Sequence, residues 1–190
     1  AKFISSVDLT ASYWQIPLTK TSRQYTAFQF RGKTYQYKVT PFGISTSQAA
    51  LVRALDNVFD DEIEAFTAIY VDDICIISPD FNTHLQHLEY IFKKLAEANM
   101  TINFEKSQFC KDSVPFLGFT LTNEGLRMDN SKIDPILNFP TPRSRTQLKA
   151  FLGCINYYNK FIHKFSETVQ PLLRLKSKKV KFHWTRDDDT

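Results

Sequence analysis

Asp72 and Asp73 stand side by side between two short apolar runs, Ala68-Ile69-Tyr70-Val71 and Ile74-Cys75-Ile76-Ile77. Runs of this length, rich in β-branched residues, read as the two strands of a β-hairpin with acid at its bend. Asp is a common turn former because its side chain satisfies local backbone groups. A tight hairpin, however, fills its positive-φ positions best with Gly or Asn, and this bend has neither. Two like charges held against apolar strands also repel each other and lose hydration unless something positive neutralises them. A divalent cation would do so. Carboxylate oxygens suit Mg²⁺ or Mn²⁺, with water and phosphate oxygens completing the shell, as in phosphoryl and nucleotidyl transfer. Asp72 and Asp73 are therefore candidate metal ligands.

The surrounding pattern must supply a sheet to carry that bend. Phe3 to Leu9 reads as a strand. Residues 22–39 alternate apolar and polar around Gly32, as a hairpin does. Ser45, Thr46 and Ser47 offer caps for a helix with Ala50, Leu51, Ala54, Leu55 and Val58 at helical spacing, and the acidic run Asp60-Asp61-Glu62 reads as a solvated loop ending it. Leu85, Leu88, Phe92 and Leu95 mark an amphipathic helix closing near Asn99. Short strands follow over residues 101–104 and 114–121, with a turn at Asn123-Glu124-Gly125. Hairpins outnumber crossovers, so the expected class is α+β: a mostly antiparallel sheet with helices on one face. Pro135, Pro140 and Pro142 mark a boundary. Beyond it, Ser144-Arg145-Thr146-Gln147 is a capping box opening a helix that runs through Leu148, Phe151, Leu152, Ile155, Tyr158 and Ile162. A shorter helix is expected over residues 166–175, with Pro171 near its first turn, before the basic exit Lys176-Ser177-Lys178-Lys179-Val180-Lys181.

Composition narrows the class further. With 43% apolar and 23% charged residues in 190, the chain is ordinary globular protein, large enough for one domain or two small ones. No apolar run approaches the roughly 20 residues of a membrane helix, so a soluble product without membrane partners is expected. Cys75, Cys110 and Cys154 lack metal-ligand spacing and read as reduced core residues of an intracellular protein. His84 and His87 read as surface polar residues of a helix, without a zinc partner nearby. The net charge of +4 is unevenly spread: residues 1–131 hold 12 Lys/Arg and 15 Asp/Glu, whereas 132–190 hold 12 and 5. An acidic body followed by a basic segment suits a polyanion gripped by one and presented to metal ions by the other.

Tyr70-Val71-Asp72-Asp73 resembles the YxDD signature of reverse transcriptases. Asp8, ending the first strand and followed by Tyr13-Trp14-Gln15-Ile16-Pro17-Leu18, resembles the first palm motif of gypsy-type LTR retrotransposon enzymes. Pro41-Phe42-Gly43-Ile44 is similar to their PFG motif, and Phe116-Leu117-Gly118-Phe119 to the primer-grip turn. The run Phe151-Leu152-Gly153-Cys154-Ile155-Asn156-Tyr157-Tyr158 resembles the segment after it. Five unlike motifs in one order cover almost the whole chain.

The resemblance implies a palm with part of the fingers (22–45) over residues 1–130. A helical thumb-like region follows over 131–178, and 179–190 would begin a connection toward an RNase H domain, with Phe182-His183-Trp184 as its first strand. It implies template-directed addition of deoxynucleotides to a primer 3′-hydroxyl by two Mg²⁺ or Mn²⁺ ions. Asp8 and Asp72 would bridge the ions, Asp73 would be auxiliary, and the Leu9 carbonyl a further ligand. Tyr13 would be the steric gate, Tyr70, Val71 and Gly43 nucleotide contacts, and Lys106 the group that protonates or screens pyrophosphate. Gln15, Phe116, Leu117 and Gly118 would meet template or primer, and Arg145, Lys149, Lys160 and Lys164 the phosphate backbone. Partners would be an RNA or DNA template with primer, and deoxynucleoside triphosphates. Two features depart from the family: Thr46-Ser47-Gln48 stands where Asn-Ala-Pro is usual, and Leu51-Val52 where Phe-Gln is common. The abrupt opening on a strand at the first palm motif, without the N-terminal fingers, suggests an excised fragment or a broken gene copy, and the alternative function is an inactive remnant that only binds nucleic acid or a protein.

Overall fold

The strand β1 (Phe3–Leu9) lies between two others in the central sheet of a computed structural model that describes residues 2–185. The chain divides into two units, Ala1–Leu126 and Arg127–Thr190. In the first, β1 is followed by a 3₁₀ turn (Ser12–Gln15), a second such turn (Arg23–Thr26) and the hairpin β2 (Phe28–Phe30) and β3 (Lys33–Tyr35). Next come α1 (Ser47–Val58), a 3₁₀ turn (Asp61–Ala65), the hairpin β4 (Thr67–Tyr70) and β5 (Asp73–Ser78), and α2 (Phe81–Glu97). The strands β6 (Ile102–Lys111), β7 (Ser113–Phe116), β8 (Phe119–Thr122) and β9 (Gly125–Met128) follow. The central sheet has the order β4-β5-β1-β6, and β7-β8-β9 form a separate one. The β1–β5, β1–β6, β2–β3, β4–β5 and β7–β8 pairings are all antiparallel, in keeping with the α+β class.

Alternation along the strands gives the central sheet two unlike faces. Val7, Leu9, Ile74 and Ile76 share one core with Leu51 and Leu55 of α1 and Leu88, Ile91 and Leu95 of α2. That is the helix-covered face. The opposite face begins with a small cluster of Ile4, Cys75 and Val114, flanked by Ala68, Ile77 and Phe116. Asp8 and Asp73 fall on this second face by strand parity, because Asp8 pairs with Asp73 and Ser6 with Cys75.

Several sequence expectations need correction. The Ser45–Ser47 caps are not used: Thr46 stands at the N-cap of α1 without a side-chain bond, and the Ser47 hydroxyl donates instead to the Pro41 carbonyl at 3.0 Å. The acidic run is solvated as expected, but Asp60 also has partners: Lys94 reaches it at 2.9 Å and the Tyr90 hydroxyl donates to it. Those two bonds, Tyr90 first, hold the Asp60 carboxyl below its ordinary range. Leu85 is 47% exposed, and the buried face of α2 runs His84, Leu88, Ile91, Leu95. His84 is thus a core residue. Cys154 is exposed, not core. The expected strand over 101–104 extends through Lys111 as β6.

The second unit holds α3 (Asn130–Leu137), α4 (Arg145–Tyr157), a 3₁₀ turn (Asn159–Phe161), α5 (Phe165–Leu173) and a closing turn (Arg174–Lys176). Ser144 caps α4 by accepting from the Gln147 N–H at 3.3 Å, while the Gln147 side chain reaches back to the Arg143 N–H at 2.7 Å. α4 stops at Tyr157, short of the expected Ile162. α5 begins at Phe165, so Pro171 lies in its interior and not in its first turn. Phe182-His183-Trp184 form no strand. Phe182 and Trp184 instead pack against the cluster of Leu148, Leu152, Ile155, Val169, Leu172 and Leu175, where their apolar rings leave water. Residues 186–190 of the expected connection lie outside the described residues.

Candidate active site

β1 and β5 deliver two of the three acids. Asp8, near the end of β1, pairs with Asp73, the first residue of β5, while Tyr70 closes the other side of the bend opposite Asp73. Directly opposed residues in an antiparallel pair point to the same face with Cβ atoms roughly 4.5–5.5 Å apart. Asp72 sits in the two-residue turn between β4 and β5, after Val71 at φ 58°. A β-branched residue in the left-handed region is strained, and such strain persists where surrounding structure demands it. Val71 is held there by packing against the helix-covered core. The bend that lacked Gly and Asn is therefore made at the expense of backbone strain, beside the acids.

The electrostatics are those of unneutralised charge. Burial pushes the Asp73 carboxyl above its ordinary range, and the Asp72 and Asp8 charges push it further. Burial also raises Asp8, Asp72 adds to the rise, and Lys106 opposes it. Lys106 reaches this neighbourhood through a large bulge. Between the pairs Ser6–Gln108 and Asp8–Asn103, two steps along β1 face five along β6. The looped-out residues are tied down around Asn103: its carbonyl accepts from the Ser107 hydroxyl at 2.7 Å and its side-chain oxygen from the Lys106 N–H at 3.2 Å. The Ser107 oxygen in turn accepts from the Asp8 N–H at 3.1 Å. Bulges are one way a strand re-aims a side chain beside a site.

The 3₁₀ turn after β1 brings further groups. Ser12, only 3% exposed, donates its hydroxyl to Asp72 Oδ2 at 3.1 Å. Tyr13 is half-buried, edge-on to Phe42 at 5.2 Å between ring centroids. Gln15 does not present an open amide. Its nitrogen donates to the carbonyls of Thr10 at 2.6 Å and Thr101 at 3.0 Å, and its oxygen accepts from the Thr101 N–H at 2.7 Å. A template contact from Gln15 would have to break these bonds. Leu9 is 2% exposed in the core, so only its backbone could serve a site. Gly43 stands exposed at φ 84°, a conformation that explains glycine there.

Other candidates lie elsewhere in their units. Phe116, Leu117 and Gly118 make the β7–β8 hairpin end, Leu117 and Gly118 both at positive φ (51° and 70°), as a two-residue turn of type I′ requires. Of the basic candidates in the second unit, Arg145 donates to the carbonyls of Ser177, at 3.0 Å, and Val180. A phosphate would compete with both. Lys164 pairs with Glu167 at 3.3 Å, Lys160 lies over the Phe161 ring, and Lys149 is exposed on α4.

Sequence reasoning missed Ser12, Ser107 and the role of His84. Nothing local distinguishes Ser12. For His84 a signal existed: it shares the helical face of Leu88, Ile91 and Leu95. One basic feature was also overlooked. Between Asp8 and Asp56 there are six Lys/Arg (Lys20, Arg23, Arg31, Lys33, Lys38, Arg53) and no acid.

Among the described residues, no group of three or more His, Cys, Asp or Glu is placed to hold a metal ion by itself. The acids nevertheless fit a hard divalent cation of the kind that takes one or two carboxylates and completes its shell with water and substrate phosphate. They are oxygen donors, mutually repelling, with Lys106 the one cation moderating Asp8.

Acids clustered on one sheet face, backed by helices, form a layout suited to phosphoryl transfer. The chain belongs to the family described as reverse transcriptase (RNA-dependent DNA polymerase), a family of nucleotidyltransferases, whose profile matches residues 1–121. It is 35% identical over 172 residues to the retrovirus-related Pol polyprotein from transposon gypsy of Drosophila melanogaster, and 34% over 175 residues to that from transposon opus. It is 33% identical over 181 residues to the transposon Tf2-3 polyprotein of Schizosaccharomyces pombe. These alignments cover 90–95% of this chain but only 14–17% of the relatives. Among solved structures, the foamy viral protease-reverse transcriptase in complex with dsDNA matches with a TM-score of 0.88 at 31% identity, over 99% of this chain and 40% of that one. The same enzyme with RNA/DNA hybrid matches at 0.81 and 30% identity, over 99% and 26%. No helix among the described residues is long and apolar enough to cross a membrane.

Proposed function

We propose that this chain is the catalytic segment of a retrotransposon reverse transcriptase, adding deoxynucleotides to a primer 3′-hydroxyl on an RNA or DNA template. The observation that carries the reading is the pairing of Asp8 with Asp73 beside Asp72, with burial and neighbouring negative charge raising the Asp8 and Asp73 carboxyls. Two Mg²⁺ or Mn²⁺ ions, when bound, would supply that charge, activate the primer hydroxyl and stabilise the leaving oxygen. In this reading Asp8 and Asp72 would hold the ions, with Asp73 in support and the Leu9 carbonyl as a further ligand. Lys106, aimed by the β6 bulge, gives a proton or a counter-charge to departing pyrophosphate. Tyr13 limits the room beneath the sugar, with Tyr70, Val71 and Gly43 around the nucleotide. Phe116, Leu117 and Gly118 support the primer end, and the basic groups of the second unit, Lys149 foremost, meet the phosphate backbone. Residues 1–130 would thus act as palm and partial fingers, and 131–178 as a thumb-like region.

The likeness to enzymes crystallised with dsDNA and RNA/DNA hybrid supports nucleic acid as the partner. Primer extension on an RNA template with Mg²⁺ or Mn²⁺ tests the proposal. Asp72→Asn is expected to lower extension by at least about 100-fold, since a carboxamide cannot replace a bridging carboxylate. Extension that survives Asp72→Asn overturns the assignment. A chain that binds primer–template but never extends it is the inactive remnant.

A further inference from the structure

Asp72 differs from its two neighbours in how it is held. Asp8 and Asp73 belong to paired strands, whereas Asp72 lies in the turn after the strained Val71. Among the described residues, the Ser12 hydroxyl is the one hydrogen-bond partner of the Asp72 carboxylate, at 3.1 Å to Oδ2. Ser12 is itself fixed from both sides. Ala11 before it adopts the left-handed region at φ 44°, and the Trp14 N–H bonds back to the Ala11 carbonyl at 2.8 Å. Beyond it, the three bonds of the Gln15 amide tie the turn to Thr10 and Thr101, and the Thr10 N–H donates to the Thr101 carbonyl at 3.0 Å. The hydroxyl is therefore delivered by a rigid support.

We propose that Ser12 is a positioning residue for Asp72, fixing its carboxylate through Oδ2 and leaving Oδ1 without a hydrogen bond among the described residues. A neutral donor suits this task. It sets the orientation of the carboxylate, yet brings no positive charge to compete with a cation. Gln15 acts one step further back, as the clamp that holds the turn. This inference rests on the carboxylate reading given above.

The test is Mn²⁺ uptake by the 190-residue chain, followed by the electron paramagnetic resonance of free Mn²⁺ and needing no turnover. Five proteins are compared: the parent, Ser12→Ala, Ser12→Thr, Asp72→Asn and the Ser12→Ala/Asp72→Asn double variant. Orienting partners of metal ligands typically change affinity by about 10-fold or more. Ser12→Ala is expected to weaken Mn²⁺ binding by about that factor in the parent and to change nothing further in the Asp72→Asn background. Ser12→Thr, which keeps the hydroxyl, should bind as the parent does. Unchanged affinity in Ser12→Ala overturns the role of Ser12, and so does an equal loss in both backgrounds, which would mark a general structural effect. A Ser12→Thr protein as weak as Ser12→Ala also overturns it. If the parent takes up no Mn²⁺, or Asp72→Asn binds as tightly as the parent, the carboxylate reading itself fails.

Discussion

The two ends of the β1–β5 pair hold polar groups in opposite ways. At one end Asp8, Asp72 and Asp73 repel one another, the turn is strained at Val71, and a single lysine moderates the charge. At the other end Ser5 and Ser78, on the helix-covered face, meet His84 of α2. The Ser5 hydroxyl lies 2.6 Å from His84 Nε2, and the Ser78 hydroxyl 2.8 Å from His84 Nδ1 and 2.8 Å from His87 Nδ1. The Cys110 N–H donates to the Ser5 oxygen at 3.0 Å, so β1, β5, β6 and α2 join in one network. Among the described residues no buried side-chain nitrogen or oxygen lacks a partner. The lesson is one of purpose: satisfied neutral polarity locks strands to a helix, whereas crowded charge is tolerated only where a ligand can answer it.

The sharpest way to break this comparison is at the satisfied end. His84→Leu removes one member of the network and leaves the Ser5 and Ser78 hydroxyls without their buried partner, so a loss of about 2–3 kcal/mol in stability is expected. Urea denaturation of the isolated chain measures it. A loss below about 0.5 kcal/mol would mean the imidazole is replaceable by any side chain of similar size.

The pH dependence separates the ends by sign. Burial first, and the nearby His87 second, lower the pKa of His84, and burial also lowers that of His87. The unfolded chain therefore takes up protons near pH 6.5 while the folded chain does not. Stability from the histidines is complete above that pH and falls as the solution is acidified through it. Asp8 and Asp73 act oppositely. Their raised folded values mean the native state takes up protons first, so their repulsion is relieved as pH falls toward the unfolded carboxylate value of 3.8. Melting temperatures from pH 8 to 5 should fall in the parent, and fall less in His84→Leu. A parent curve that rises over this interval would contradict the histidine assignment.

The smallest effect is expected at the crowded end. Asp73→Asn removes one of three mutually repelling charges and should raise stability by about 0.5 kcal/mol, a modest value because the site is open to solvent screening. The same substitution is expected to weaken Mn²⁺ uptake. A destabilised Asp73→Asn would show that the acids already support one another through contacts other than a cation.

Much of the site was legible in the chain because short-range chemistry encodes it. Adjacent acids between β-branched runs specify a hairpin with charge at its bend. The same local rules misread His84, since a histidine at helical spacing looks the same on a solvated or a buried face until Ser5 and Ser78 arrive from strands far away in sequence. They misread the capping serines too, because the Ser47 hydroxyl has a better partner in the Pro41 carbonyl. Sequence by itself determined the acids, the antiparallel class and the family. Only tertiary structure decided the register that opposes Asp8 to Asp73, the β6 bulge that turns Lys106 toward them, and the turn that lays Ser12 against Asp72. Each depends on contacts between residues 60 to 99 positions apart, whose pairing no local pattern specifies.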